Sequence, residues 1–569
     1  MSQAEPTTTS TAWKPPVWLA LVLLTGLVWF SHFYWSSKFG LYEDDYVCIE
    51  PHANAWRFPE FKANVYAAFE LYIQGRPLMF AFGHTLAFLT TQPGGSFATA
   101  YIVACGVQVL NAWLVFFVAR RAIGPRFAPV AAAVFALAPA DTTQPFLHVC
   151  FFVQPAIALM MLAILAYQKG WRVLSYMPTA LTLITYETCF LPLLLTPFLT
   201  TEMPSLRRVF GHGIVLGVLL IVAMGVRSHF GEPRMKQELG DRTVAATKMT
   251  RLATVGSATS LKSFASKPVD AFERAADPEY FNSDGLKPPA AAWAVAVGSL
   301  CALLLVASGA RSESPLDRRQ LVRVALAGLA MVVLSYPASL NRPPAITEGR
   351  LSSVHIAAAP AWGLVAGAVL GLVLSGLPPL GRRALWASVA AYLGVLVVYH
   401  VSVQRDYVRA WAEQQRFWGD VVRLCPDLDD DVIILYPYPR QDYPAVMVNS
   451  HLDYILPGRM VARNPSWKNP PMAVHVGIHR IGTVPYDYVG YDWSNEMKVE
   501  GGEVWCMHWT GLKPRMFPGK VIALYPGEDG HYHRVTGSLE INGVRLPLRE
   551  PGEAKLGLWP TGLYFQLPR

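Results

Sequence analysis

"VWLALVLLTGLVWFSHFYWSSKFGLYEDDYV", residues 17–47, decides how this chain is read. Its first part, Val17 to Ser36, carries no Asp, Glu, Lys or Arg. It is long enough to cross a hydrocarbon core, which takes about twenty apolar residues. Close behind it stand three carboxylates in a row, Glu43, Asp44 and Asp45. Adjacent carboxylates repel one another and each resists leaving water. A chain that leaves a membrane and at once presents such a triplet needs partners for it.

The rest of the chain repeats the first half of that pattern. Of 569 residues, 53% are hydrophobic and only 15% charged, against about a quarter charged in soluble proteins. Apolar runs recur to about Gln404, at 17–36, 99–119, 127–140, 149–168, 173–186, 188–201, 209–226, 289–308, 320–338, 352–376 and 384–404. The expected fold class is therefore an α-helical polytopic membrane protein of about eleven transmembrane helices. After Gln404 the sequence reads as soluble: a connecting amphipathic helix over 405–425, then a small β-rich domain over 426–569. In that domain "DVIILY", "AVMVNS", "MAVHVGI", "KVIALY" and "GSLEINGVRLPL" are strand-like runs, and "INGV" reads as a hairpin turn.

Lys and Arg are not evenly spread. Arg120, Arg121 and Arg126, Lys169 and Arg172, Arg207 and Arg208, Arg318 and Arg319, and Arg382 and Arg383 follow alternate spans. The intervening loops "PADTTQPFLH" and "YET" have neither. This bias places the tail 1–16 in the cytoplasm, and loops 37–98 and 227–288 with the C-terminal domain on the far side. For a bacterial inner-membrane protein that side is periplasmic. It also accounts for the net charge of +8 without nucleic acid. The N-terminal region lacks a small-x-small cleavage site, so 17–36 reads as a retained span. Seven cysteines are too few for a disulfide framework, although Cys425 and Cys506 could pair. "GLVAGAVLG" spaces Gly363, Gly367 and Gly371 four apart, a face for close helix packing. Segments 60–73 and 77–90 read as helices lying in the interface.

The ionisable residues that spans and topology do not explain gather on the far face. Beside the triplet these are Asp141 in "APADTTQP", Glu187 in the apolar "LITYETCF", and Arg76 in "QGRPL". "SLNRPPAITEGRLSSVH" adds Arg342, Glu348, Arg350 and His355. Carboxylates at a membrane boundary are expensive and mark functional sites more often than not. A carboxylate can take a proton from a hydroxyl while arginines, with their planar fork of donors, hold a phosphate leaving group. Glu43, Asp44 and Asp45 could instead hold a divalent cation, Mg or Mn. Arg76 and Arg350 could equally anchor helices at lipid headgroups. His355 reads better as a packed side chain than as a catalyst.

Laid out this way, residues 1–404 resemble the GT-C superfamily of integral membrane glycosyltransferases, which includes protein O-mannosyltransferases and lipid A aminoarabinose transferases. The resemblance rests on an acidic pair in the first outer loop, Asp44-Asp45, followed by juxtamembrane helices. It also rests on Asp141 after the third span, Tyr186-Glu187 near the fifth, and an Arg-containing segment leading into a late span. It implies sugar transfer from a polyprenyl-phosphate-linked donor to a glycan, lipid or protein acceptor. Asp44 or Asp45 would be the base, Glu43 and Asp141 would position substrate or metal, and Arg76, Arg342 and Arg350 would hold the carrier phosphate. Two departures are Leu351, where an aromatic often follows the Arg, and the lack of a Lys in the fifth span. A transporter or flippase of lipid-linked sugars would need ionisable groups near mid-membrane, where these spans are clean. A polysaccharide polymerase or ligase would carry its large loop between late spans.

Overall fold

In the computed structural model, the structure describes residues 17–42, 44–45, 49, 58–91, 97–232, 242–276, 317–339, 344–429, 432–437, 472–476, 497–500, 503–506, 515–516, 520–527, 529–541 and 544–553. The tail 1–16, Glu43, the apolar run 289–308, Arg342 and "AVMVNS" lie outside them.

Seven described helices are long and apolar enough to cross a membrane: α1 (Val17–Lys38), α4 (Ala98–Ala122), α6 (Val149–Gln168), α9 (Leu206–His229), α11 (Arg318–Ser339), α12 (Arg350–Gly376) and α13 (Pro379–Leu424). Two shorter helices, α2 (Phe58–Glu70) and α3 (Pro77–Thr90), follow the first loop, as the interfacial reading expects. The run 127–140 forms a buried nine-residue helix, α5 (Ala128–Ala136). Runs 173–186 and 188–201 form α7 (Arg172–Leu183) and the 3₁₀-rich α8 (Glu187–Leu199), with Pro178 and Pro197 inside them. Proline removes a ladder donor and clashes with the preceding turn, so neither becomes a long span. Loop 227–288 contains a 35-residue helix, α10 (Arg242–Ala276), packed along α13 and α11.

The glycine face behaves as its spacing predicts. A Cβ on Gly363 would overlap the Ala131 carbonyl, and those on Gly367 and Gly371 would crowd Ile123, Phe127 and Leu321. The α12 backbone therefore lies directly on α5. Leu206, Phe210, Ile214, Val218 and Ile221 on α9 are exposed, a surface suited to lipid rather than water.

The first loop is fixed to α13. Trp411 lies over Gly40, where any Cβ would overlap the indole ring. The Tyr42 hydroxyl donates to the Tyr407 carbonyl (2.8 Å), Tyr101 donates to the Gly40 carbonyl (2.6 Å), and the Gln414 amide donates to the Leu41 carbonyl (3.2 Å). A little earlier in the chain, the Gln404 amide donates to the Phe30 and Ser31 carbonyls and its oxygen accepts from Trp35 N–H. Those carbonyls sit where α1 loosens into a π turn, which leaves backbone acceptors in need of a donor.

α13 runs 46 residues without a break, so the last span and the connecting helix are one rod of about 70 Å. Its far end carries a four-stranded sheet in the order β2 (Met472–Val476), β1 (Ile433–Pro437), β6 (Val521–Pro526), β7 (Tyr532–Val535). β1 is parallel to β2 and β6, and β7 is antiparallel to β6. Strands β3 (Met497–Glu500), β4 (Glu503–Cys506) and β5 (Arg515–Met516) form a second, antiparallel sheet. β8 (Ser538–Ile541) and β9 (Val544–Pro547) pair as the hairpin expected around "INGV". Asp420 accepts from Tyr532 N–H (2.8 Å), and buried Asp427 pairs with Arg534 (2.6 Å) and Arg549 (3.3 Å). These contacts fasten the sheet to the rod. Cys425 is a free, buried thiol, and the Cys506 side chain lies outside what the structure describes.

Gly40→Ala is expected to force the Trp411 ring away at a cost of about 1–3 kcal/mol, read as a lowered unfolding midpoint in detergent. Gly26→Ala, whose Cβ meets open space, serves as the control and should not lower it.

Candidate active site at the acidic end of the bundle

The first-loop carboxylates divide their work. Asp45 is fully buried, and each of its oxygens accepts a backbone N–H, from Tyr42 (3.1 Å) and from His148 (2.6 Å). Those bonds favour the carboxylate, but burial outweighs them and Asp44 adds repulsion, so the pKa is pushed from 3.8 up to about 8. Asp45 therefore ties the first loop to the loop before α6. Asp44 points differently. Its Oδ2 lies 2.8 Å from Arg350 Nη2 and 3.8 Å from His148 Nε2. The Asp44 side chain is 18% exposed and that of Arg350 41%, which leaves this pair open to a ligand.

Asp141 is buried, with Oδ1 accepting from Thr143 N–H (2.8 Å), the Thr143 hydroxyl (2.6 Å) and the Ser352 hydroxyl (3.2 Å). Thr142 adds a bond from its N–H to the Ser352 hydroxyl (3.0 Å) and accepts from Gly349 N–H (2.9 Å). The loop after α5 thus holds the turn Glu348-Gly349-Arg350 that opens α12. Gly349 has φ +65, a left-handed conformation that glycine adopts without steric cost. His355 is packed: its Nε2 lies 3.1 Å from the Ile346 carbonyl, which can only accept, so Nδ1 accepts from the Tyr336 hydroxyl (2.9 Å).

Arg76 and Glu187 meet in a bidentate pair (2.7 and 2.5 Å). Arg227 joins them, donating to the Gly75 (3.0 Å) and Leu183 (2.8 Å) carbonyls, 3.4 Å from Glu187 and 3.7 Å from buried Glu232. Two cations face two carboxylates, so this cluster is balanced. It also restrains a tight turn: Tyr72, Gln74 and Gly75 all have positive φ, a cost of about 1–3 kcal/mol for each non-glycine residue. A Cβ on Gly75 would collide with the Glu232 carboxylate. Arg76 thus acts here as the anchor of the α2–α3 connection.

A second charged group borders Arg350. Lys267 on α10 reaches Glu348 (2.5 Å) and Asp270 (3.0 Å). Arg274, two turns on, lies 3.8 Å from Glu348, 3.6 Å from Asp406 and 3.2 Å from the Ser402 hydroxyl. Sequence reasoning passed over Lys267, Arg274, Asp406 and Arg227. The signal available was "KPVDAFER", which puts Lys267, Asp270 and Arg274 on one helical face.

Of the proposed cation ligands Glu43, Asp44 and Asp45, Glu43 lies outside the described residues. Among the described residues no group of three or more His, Cys, Asp or Glu could hold a metal ion. Asp45 spends its oxygens on backbone N–H groups, and Asp44 faces a guanidinium.

The basic residues cap the opposite helix ends. α4 begins at the acidic end, where Tyr101 meets Gly40, and finishes with Arg120 and Arg121; α13 begins with Arg382 and Arg383 and reaches the site at Asp406. Fold and site together define a polytopic helical membrane protein with a buried and half-buried charge cluster at one end. No family model and no curated protein matches the chain. Among solved structures it is similar to the crystal structure of ArnT from Cupriavidus metallidurans bound to undecaprenyl phosphate, at 14% identity over 75% of this chain and 83% of that one, with a TM-score of 0.35. A likeness that distant carries no argument about function, which rests on the side chains themselves.

The folded pKa of Asp45, about 8, lies above its ordinary 3.8. Its contribution to stability is therefore full below about pH 4 and is lost as pH rises to about 8. Unfolding midpoints measured from pH 5 to pH 9 should fall across that window, and Asp45→Asn, which cannot titrate, should flatten the slope.

Proposed function

We propose that the protein is a membrane glycosyltransferase that takes a sugar from a polyprenyl-phosphate donor and passes it to an acceptor hydroxyl at the acidic end of the bundle. The observation that carries this reading is the Asp44–Arg350 pair at 2.8 Å, with Lys267 and Arg274 gathered on Glu348, two residues from Arg350. A base and a set of cations stand together, and both remain partly reachable.

In this reading the acceptor oxygen attacks the anomeric carbon while Asp44 takes the hydroxyl proton. The bond from that carbon to the phosphate oxygen breaks, and the phosphate leaves with the electron pair. Arg350, Lys267 and Arg274 hold the charge that develops on it. Such preorganised cations act most strongly where water is excluded. Asp45 and Asp141 serve as positioning residues through the loops they tie together. The arginines at the other helix ends would face the cytoplasm, so the reaction would occur on the periplasmic side of a bacterial inner membrane. The acceptor is a glycan, a lipid or a protein.

Asp44→Asn should leave the unfolding midpoint near the wild-type value and lower consumption of a labelled polyprenyl-phosphate sugar about a hundredfold or more, the range of a lost general base. Unchanged consumption would remove Asp44 from the chemistry.

A further inference from the structure

The turn at Glu348-Gly349-Arg350 reaches two ways. Arg350 extends to Asp44, and Glu348 extends to Lys267 (2.5 Å) and toward Arg274 (3.8 Å). The positive φ of Gly349 (+65) lets neighbouring side chains diverge in this manner. Lys267 and Arg274 have side chains 8% and 15% exposed, while Glu348 is 30% exposed. The cations are thus enclosed, while Glu348 and Asp270 (35% exposed) are the carboxylates of the group that reach solvent.

We infer that Glu348 is a resident competitor for the anion site: its carboxylate occupies Lys267 and Arg274 until a phosphate ligand displaces it. The inference rests on the glycosyltransferase reading and adds a selectivity residue to it. A carboxylate oxygen and a phosphate oxygen accept from the same donors. Enclosed cations with fewer anions beside them bear a larger desolvation cost, and Glu348, together with Asp270 and Asp406, lowers that cost in the unliganded protein. Asp270 and Asp406 remain beside the cations after Glu348 leaves, at 3.0 Å from Lys267 and 3.6 Å from Arg274. The displaced carboxylate has a short path to water. A neutral lipid offers the cations nothing in exchange and cannot displace it, so the site selects for an anionic headgroup.

The experiment measures binding of a polyprenyl monophosphate and of the corresponding uncharged polyprenol to the full chain in detergent. Glu348→Gln keeps the shape and removes the competing charge. It should tighten polyprenyl phosphate binding about tenfold or more, a change of one decade in Kd, and leave polyprenol binding unaltered. Lys267→Met should weaken phosphate binding by at least the same factor. If Glu348→Gln leaves phosphate affinity unchanged or lowers it while Lys267→Met weakens it, Glu348 is not a competitor, although the cations still bind phosphate. If Lys267→Met and Arg274→Met both leave phosphate affinity at the wild-type value, the phosphate assignment itself is wrong. Should Glu348→Gln not fold, Glu348→Asp, one methylene short of Lys267, is measured in its place. The same tightening is expected, and its absence overturns the inference.

Discussion

A carboxyl group at the end of an apolar bundle persists only when polar partners answer it, and here the answers come from segments far away in the chain. Asp44 is answered by Arg350, and Asp45 by two backbone N–H groups, one of them 103 residues on. Asp141 is answered by Thr143 and by Ser352. Each pairing closes a long loop, and together they bring the first loop, the loop before α6 and the start of α12 to one point. Leaving a buried acceptor without its donor costs about 1–3 kcal/mol, so these polar contacts help to specify the arrangement. They also sort the acids by task. Asp45 and Asp141, held by fixed donors, tie the loops together, and Asp44, paired with Arg350, is the acid that the proposed reaction uses.

α13 makes that arrangement rigid. One continuous helix supplies Gln404 to the end of α1, Tyr407 and Gln414 to the first loop, Asp406 to the Arg274 group, and Asp420 to the distal sheet. The distal sheet and the charged cluster are therefore joined through one rod rather than a flexible linker. The Arg76–Glu187–Arg227–Glu232 cluster does a similar job on the other flank, where it holds a backbone turn with three positive φ values.

Much of this was legible in the sequence for physical reasons. Long apolar runs report the spans because a hydrocarbon core demands them. Gly363, Gly367 and Gly371 report a close crossing because only small residues permit one. The acidic triplet, Asp141 and "EGR" stood out because charges at a boundary need a purpose. What stayed hidden was pairing. Nothing local says that Arg76 would meet Glu187 in a bidentate pair, or that Asp45 would accept from two backbone N–H groups. α10 falls within the 227–288 loop, and its cations gain meaning only once it lies along α13. The short runs 173–186 and 188–201 passed for spans on hydropathy, while their prolines argued for broken helices.

We propose that Arg350 on Asp44, with Lys267 and Arg274 on Glu348 two residues away, hold the phosphate of a lipid-linked sugar. The most direct measurement is an electron cryo-microscopy map of the full chain with a long-chain polyprenyl phosphate bound. The account predicts phosphate density against Lys267, Arg274 and Arg350, with Asp44 facing the space beside it. Density elsewhere in the bundle, with Glu348 still seated on Lys267, would contradict it.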